Sequence, residues 1–208
     1  VRTGFLKVVH VEGHLRHGIV DARRERGAVQ QAERVQKGGV VDRVPDVFFW
    51  HKLQEEQQEF DFVNDVDDTI LSSYNSDKIS PTSFTHDSVT SDRAVESCST
   101  PVIEPVRKAY KEFRSWGVAT IVITGRSEKQ KKVTMDCLES FGMGKWDEAH
   151  FKPQAYIGTA SAWKYQIRQQ IIEKGWDIGP SIGDQLSDMS YGSFSRGFLM
   201  PNVRYFIK

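Results

Sequence analysis

The hydrophobic and polar residues of the chain follow two alternating periods from residue 105 onward. Apolar residues recur at helical spacing over 106–116, 127–141 and 161–174, and a glycine follows each segment, which predicts three helices. Short apolar runs at 118–123, near Phe151, at 176–182 and at 197–200 predict strands. Strands that alternate with helices favour a parallel sheet covered on both faces, so the predicted fold class is α/β.

An earlier strand is predicted where an apolar run ends in three carboxylates. Residues 60–71 read Phe-Asp-Phe-Val-Asn-Asp-Val-Asp-Asp-Thr-Ile-Leu. In an extended backbone, side chains two positions apart point the same way, so Asp65 and Asp67 are expected on one face. At an effective dielectric constant of about 20, like charges about 4 Å apart repel by roughly 4 kcal/mol, so such a pair shares a proton or holds a cation.

Four further candidate residues follow along the chain. Thr124 ends a predicted strand, and Lys164 lies in the first turn of a predicted helix. Asp184 and Asp188 follow the next predicted strand. Ligand sites in parallel α/β sheets lie at the carboxyl ends of the strands. Because Asp65, Thr124 and Asp184 all fall at such ends, the sequence predicts that they meet.

These stretches resemble, in order, the four motifs of the haloacid dehalogenase superfamily, and in particular its subfamily IIIB acid phosphatases. The resemblance rests on Asp-Val-Asp-Asp-Thr at 65–69, Thr-Gly-Arg-Ser-Glu at 124–128, Lys-Tyr at 164–165, Ile-Gly-Asp-Gln at 182–185 with Asp188, and Leu-Met-Pro-Asn at 199–202 with Tyr205. It implies a Rossmann-like three-layer sandwich with a central parallel sheet and, at most, a small cap or loop insertion after the first strand. It also implies a magnesium-dependent hydrolase whose partner is a small-molecule phosphomonoester.

The resemblance gives each candidate residue a role. Asp65 would attack phosphorus, form an aspartyl phosphate and bind Mg²⁺. Asp67 would act as general acid and base and would offer its backbone carbonyl to the metal. The other residues divide into phosphate binders and metal ligands: Thr124, Gly125 and Lys164 for the phosphate, and Asp184 and Asp188 for the metal.

Two residues depart from the pattern of interior strands. Asn64 places a polar side chain directly before Asp65, and Pro180 removes a backbone donor from the strand 176–182. The polar segment 72–100 is expected to be either a surface loop or a small cap over the site. In a cap, the candidate contacts to a leaving group are Tyr74, Phe84 and His86.

Residues 1–57 lack a sustained period and are predicted to form an extension ahead of a phosphatase domain at 58–208. The open interpretations are a loosely attached segment, sequence upstream of the natural start, and a helical arm at 22–36 that packs on the core or makes a homodimer. The spacing of three histidines, His10, His14 and His17, fits a helical metal site, but no carboxylate or cysteine cluster accompanies them.

The composition excludes some partners. The chain has 28 basic and 28 acidic residues, so no basic excess favours nucleic acid or an anionic membrane. No apolar run approaches the roughly 20 residues of a membrane span, and no signal peptide is visible. A soluble, cytoplasmic protein is the default expectation, and a secreted or periplasmic one is the alternative. Cys98 and Cys137 are expected to be free thiols rather than a disulfide.

Two other functions stay open on the sequence. A storage or binding protein would keep the fold with little turnover, although the intact candidate residues argue against it. A phosphatase for phosphorylated protein or nucleic-acid ends would use a similar Asp-x-Asp, although zero net charge argues against the nucleic-acid version.

Overall fold

The computed structural model describes residues 9–12, 60–79, 87–202, 205 and 207. Its centre is a sheet made from six strands: β1 (Val9–Glu12), β2 (Asp61–Asn64), β3 (Thr120–Ser127), β4 (Glu148–Lys152), β5 (Ile178–Gly183) and β6 (Arg196–Leu199). Their order across the sheet is β1-β6-β5-β2-β3-β4. Neighbouring strands from β6 to β4 are parallel, and β1 lies antiparallel to β6 at one edge. β2 is therefore a central strand.

The helices of the described residues are α1 (Tyr74–Ile79), α2 (Ser88–Glu96), α3 (Glu104–Ser115), α4 (Lys131–Ser140) and α5 (Ala160–Glu173). Short 3-10 helices at Glu128–Gln130 and Leu186–Asp188 follow β3 and β5. The predicted helices and strands from residue 105 onward are all present, with bounds shifted by a few residues. The largest shift is at α4, which begins at Lys131 because β3 continues to Ser127.

Helices cover both faces of the sheet. On one face the apolar sides of α3 and α4 pack against β2 and β3 through Val106, Tyr110, Phe113, Leu138, Phe62 and Val122. On the other face α5 packs through Trp163, Ile167, Ile171, Val63, Ile121 and Ile123. Successive side chains of β3 thus alternate between the two layers, as the pleat of a strand requires. The predicted three-layer α/β sandwich is confirmed.

Pro180 lies inside β5, and the pairing with β2 is irregular at that point. Asp61 pairs with Ile178, while Val63 pairs with Ser181, so β5 contains one residue more than β2 over the same span. Such a bulge interrupts the regular ladder where proline lacks a donor. The proline is therefore tolerated in an interior strand.

Asn64 is fully buried in β2. Its Nδ2 atom donates to the carbonyl oxygen of Phe62 at 3.5 Å, and its Oδ1 atom has no hydrogen-bond partner among the described residues. Asn64 is thus a buried polar residue in a central strand, as the sequence predicted.

The segment 72–100 contains α1 and α2, and residues 80–86 between them, with Phe84 and His86, lie outside the described residues. Asp87 caps α2 by accepting a hydrogen bond from the Thr90 amide at 2.8 Å. Just after α2, Cys98 forms a disulfide with Cys137 of α4, with the two Cα atoms 5.5 Å apart. The prediction of free thiols is wrong, because folding brings two distant segments into bonding distance.

The strand β1 lies within the predicted extension 1–57. The predicted helix 22–36 and the side chains of His10, His14 and His17 lie outside the described residues. None of the helices in the described part of the chain is long and apolar enough to cross a membrane.

Candidate active site

Residues from three neighbouring strands approach each other at the carboxyl edge of the sheet. Asp65 directly follows β2, Thr124 lies in β3, and Asp184 directly follows β5. The Asp65 amide donates to the carbonyl oxygen of Ile182 at 2.9 Å, so the pairing of β2 with β5 continues up to the site. The parallel arrangement therefore places these three residues at one edge of the sheet.

Three carboxylates form a buried cluster at this edge. One oxygen atom each from Asp65, Asp184 and Asp188 lies within 4.8 Å of the others, and each residue is at most 6% exposed. Gly183 permits the approach, because a Cβ atom at that position would lie 2.2 Å from Cβ of Asp188. Carboxylate oxygens are hard donors of the kind that bind divalent cations.

Lys164 reaches into the carboxylate cluster from α5. Its Nζ atom donates to Oδ1 of Asp65 at 2.7 Å and also to Oδ1 of Asp188. Thr159 caps α5 by accepting a hydrogen bond from the Ala162 amide at 3.1 Å, so Lys164 begins the second helical turn and not the first turn expected from sequence. When all are ionised, three carboxylates and one ammonium leave a charge of −2, from −3 and +1.

Burial and mutual repulsion shift the protonation of the cluster. Burial is the largest cause that raises the pKa of Asp65 well above its usual value; Lys164 opposes the shift, and Asp188 and Asp184 add to it. Burial, followed by repulsion from Asp188, raises the pKa of Asp184 to about 7. Burial opposes the charge on Lys164, but Asp188 and Asp65 outweigh it and raise the pKa of the lysine. The single positive charge of Lys164 does not balance the three carboxylates.

Asp67 lies outside the carboxylate cluster and is paired with Arg126. The Nη2 atom of Arg126 lies 2.7 Å from Oδ1 of Asp67, and its Nε atom lies 3.1 Å from both carboxylate oxygens. The Arg126 side chain is 4% exposed and that of Asp67 is 38% exposed. The strand alternation expected for Asp65 and Asp67 does not apply to them, because β2 ends at Asn64.

Two of the three residues predicted to bind phosphate, Thr124 and Gly125, lie in β3, and the third, Lys164, lies in α5. Thr124 is fully buried, and its Oγ1 atom accepts a hydrogen bond from the Arg126 amide at 3.1 Å. Gly125 is exposed, with no atom within 4 Å of the position that a Cβ would occupy. The first residues of the helix predicted over 127–141 form instead the end of β3 and the 3-10 helix Glu128–Gln130.

Residues near the C-terminus hold the Asp184 carboxylate. Nδ2 of Asn202 donates to Oδ2 of Asp184 at 2.7 Å, and the Gln185 side chain donates to the same oxygen. The Oε1 atom of Gln185 accepts a hydrogen bond from the Ile207 amide at 2.9 Å. Tyr205 donates its hydroxyl to Oδ2 of Asp68 at 2.9 Å, which links the same segment to the residues after β2.

Sequence reasoning gave no role to Arg126, Gln185 or Asn202, although all three lie inside the quoted motifs. For Arg126 and Gln185 a signal was available, since a polar residue beside a predicted site residue often orients it, whereas Asn202 lies 18 positions from Asp184 and carried no such signal. Arg168 was also missed. The signal in the sequence was its position: Arg168 is a charged residue that directly follows Ile167, which faces inward from α5.

With this geometry established, comparison with known proteins becomes informative. A family model described as HAD superfamily, subfamily IIIB (acid phosphatase), matches residues 27–208. The chain belongs to this family. The resemblance found in the sequence motifs is confirmed.

Relatives of this subfamily IIIB chain include a phosphatase and a storage protein. Acid phosphatase 1 of Solanum lycopersicum is 32% identical over 151 residues, which cover 70% of the chain and 58% of the relative. Vegetative storage protein 1 of Arabidopsis thaliana is 28% identical over 155 residues, covering 70% and 55%. The chain thus spans little more than half the length of these curated relatives.

The structure of the class C acid phosphatase from Bacillus anthracis has a similar fold. It is 17% identical and superposes with a TM-score of 0.61 over 76% of this chain and 73% of that one.

Proposed function

We propose that the protein hydrolyses small phosphate monoesters with Asp65 as nucleophile and Mg²⁺ as cofactor. The observation that carries the proposal is the buried cluster of Asp65, Asp184 and Asp188, with Lys164 bonded to two of its members. Membership of the subfamily IIIB acid phosphatases and the likeness to the tomato phosphatase support it.

The donor set fits a divalent cation. Asp65, Asp184 and Asp188 would hold it, and the backbone carbonyl of Asp67 is the further ligand expected from sequence. A bound Mg²⁺ would offset the repulsion between a phosphate dianion and the Asp65 carboxylate. When the three carboxylates and Lys164 are all ionised, their net charge of −2 equals the charge that such a cation would neutralise.

Asp65 is the nucleophile in this proposal. One of its oxygen atoms forms a bond to phosphorus as the bond to the leaving oxygen breaks, which gives an aspartyl phosphate and an alcohol. Lys164 keeps the carboxylate in place and offers its positive charge to the incoming phosphoryl oxygens. Thr124 and the amide of Gly125 would bind further phosphoryl oxygens at the adjacent strand end.

Asp67 is the general acid and base in this proposal. It is partly exposed beside the buried cluster, so a leaving group and a water molecule can reach it. Asp67 would protonate the leaving oxygen in the first step and would then take a proton from the water that cleaves the aspartyl phosphate. Arg126 fixes the direction of its carboxylate through two guanidinium nitrogens.

The test is a chromogenic aryl phosphate assay with Mg²⁺ and with a chelator. We expect turnover only with the metal, and a loss of at least about 10³-fold in kcat for Asp65→Asn. The matched control is Asp136→Asn, because Asp136 is an exposed aspartate of α4 that pairs with Lys132. Turnover by Asp65→Asn at the wild-type rate would exclude Asp65 as the nucleophile.

A second experiment traps the intermediate. In Asp67→Asn, the base that activates water is missing, so acid quenching during turnover should leave one phosphoryl group bound to the protein. Peptide mass spectrometry should place that group on Asp65. A trapped phosphoryl group on a different residue would contradict the mechanism.

A storage protein with the same fold is the second candidate, and the 28% identity to vegetative storage protein 1 is the observation that favours it. A panel of alkyl, aryl and nucleoside monophosphates separates the two functions. A storage protein is expected to turn over none of them in magnesium buffer, whereas the phosphatase is expected to hydrolyse several.

A further inference from the structure

One face of α5 contacts residues 188–193, a loop that begins at the last residue of the second 3-10 helix. The contacting side chains are spaced as neighbours on one helical face: Lys164, Tyr165, Arg168 and Gln169. Lys164 donates to the Asp188 carboxylate, the Tyr165 ring lies 5.3 Å from that of Tyr191, and Gln169 donates to the Ser193 hydroxyl. Arg168 lies at the centre of this face.

Arg168 is 1% exposed, and its guanidinium donates only to backbone carbonyls in the described residues. Nη1 donates to the carbonyl of Asp188 at 3.0 Å, Nε to that of Gly192 at 2.9 Å and Nη2 to that of Ser190 at 2.5 Å. The guanidinium carbon also lies 5.5 Å from the centre of the Phe194 ring. The three bonds come from three different nitrogens in one rigid plane, whereas a lysine would offer all its donors from a single nitrogen and could not reach the three carbonyls in the same way.

The loop adopts a backbone conformation that needs external support. Tyr191, Gly192 and Ser193 are consecutive residues in the left-handed region, with φ of 66°, 69° and 69°. For residues other than glycine this region is unfavourable, and it persists where surrounding contacts fix it. The bonds from Arg168 to carbonyls on both sides of Tyr191 are such contacts.

The same loop begins at Asp188, whose side chain and main chain are held from two directions. Its carboxylate accepts bonds from Lys164 and from the Gln185 amide, the latter at 2.9 Å, while its carbonyl accepts from Arg168. Burial lowers the pKa of Arg168 to about 10, with Asp188 opposing the shift, so the guanidinium is charged at neutral pH. The charge of Arg168 and its hydrogen bonds both act on the backbone of Asp188 and of the residues that follow it.

We propose that Arg168 is a positioning residue, which fixes the Asp188 carboxylate for metal binding by holding three carbonyls of the loop 188–193. The inference rests on the proposed function, because it takes Asp188 as a ligand of the metal. It assigns to a fully buried arginine a task beyond the packing of α5.

The test measures Mg²⁺ binding to the metal-free full chain by titration calorimetry, independently of activity. Arg168→Lys keeps the charge but loses the three-way contact, so we expect Mg²⁺ affinity to fall about 10- to 100-fold. At saturating Mg²⁺, we expect kcat to fall while KM for an aryl phosphate changes less than twofold. The control Gln169→Ala removes only the contact at the far end of the loop and should bind Mg²⁺ like wild type.

A second variant keeps the test decisive if Arg168→Lys does not fold. Phe194→Leu removes the ring beside the guanidinium while it keeps an apolar side chain, and it should weaken Mg²⁺ binding several-fold. Thermal unfolding of each metal-free variant reports stability separately. Wild-type Mg²⁺ affinity in the folded variants, with only a lower melting temperature, would overturn the proposal. Absence of Mg²⁺ binding by wild type would instead overturn the proposed function, and the inference with it.

Discussion

The ammonium nitrogen of Lys164 lies 2.7 Å from Oδ1 of Asp65, a residue 99 positions earlier in the chain. Both side chains are 7% exposed, so solvent ions screen this pair little. Removal of one partner from a buried ion pair leaves an uncompensated charge, which is strongly destabilising. The pair therefore links the candidate chemistry of the site to the stability of the fold.

We expect Lys164→Met to lower the free energy of unfolding of the metal-free protein by about 3 to 5 kcal/mol, because Asp65 and Asp188 lose their shared counter-ion. Urea denaturation followed by circular dichroism measures the change. The control is Lys132→Met, which alters an exposed lysine on α4 and should unfold like wild type. Equal stability of both variants would show that the buried pair contributes nothing.

Asp61, at the start of β2, should make the folded protein less stable as the pH rises. Burial is the main cause that raises its pKa to about 6, so the folded chain binds this proton more tightly than the unfolded chain, whose aspartate pKa is about 3.9. The free energy of unfolding should therefore decrease from about pH 4 to pH 6 and then level off.

Asp61→Asn removes this ionisation and keeps a side-chain oxygen that can accept the hydrogen bond from the Asp177 backbone. At pH 7 the variant should be more stable than wild type by the order of 1 to 3 kcal/mol, with no difference near pH 4. Urea denaturation across this pH range checks the prediction. Asp136→Asn, at an exposed position of α4 away from Asp61, serves as control, and a constant difference at every pH would contradict the expectation.

Asn202→Leu should weaken Mg²⁺ binding by about tenfold or more, because Asn202 donates to Oδ2 of the proposed ligand Asp184 at 2.7 Å. Titration calorimetry with the metal-free protein measures this affinity. Gln166→Leu makes a comparable change at an exposed position of α5 and should bind Mg²⁺ normally. If the two variants bind equally well, Asn202 does not orient Asp184.

Reduction of the disulfide between Cys98 and Cys137 should destabilise the protein by about 4 kcal/mol, the chain-entropy value for cysteines separated by 39 positions. Urea denaturation with and without a phosphine reductant measures the difference. The double variant Cys98→Ser with Cys137→Ser should match the reduced protein and should not respond to the reductant. A wild-type protein that is insensitive to reductant would contradict the disulfide.

The helices and strands were predicted from the local spacing of apolar residues along the chain. The apolar run 118–123 and the helical spacing of 106–116 each describe a surface that must be buried. The folded chain buries β3 on both of its faces and the helix on one side. The meeting of Asp65 with Asp184 followed from one further rule, because parallel strands have their carboxyl ends at a single edge.

The sequence by itself thus determined the α/β class, the order of its elements and the residues at the strand ends. Only the tertiary structure decided that Asp67 turns toward Arg126, that Cys98 bonds to Cys137, and that Arg168 supports the loop of Asp188. The physical reason is that periodicity states which face of an element is buried. The partner that meets a given side chain depends on how distant segments pack and where strands end, and neighbouring residues do not encode that.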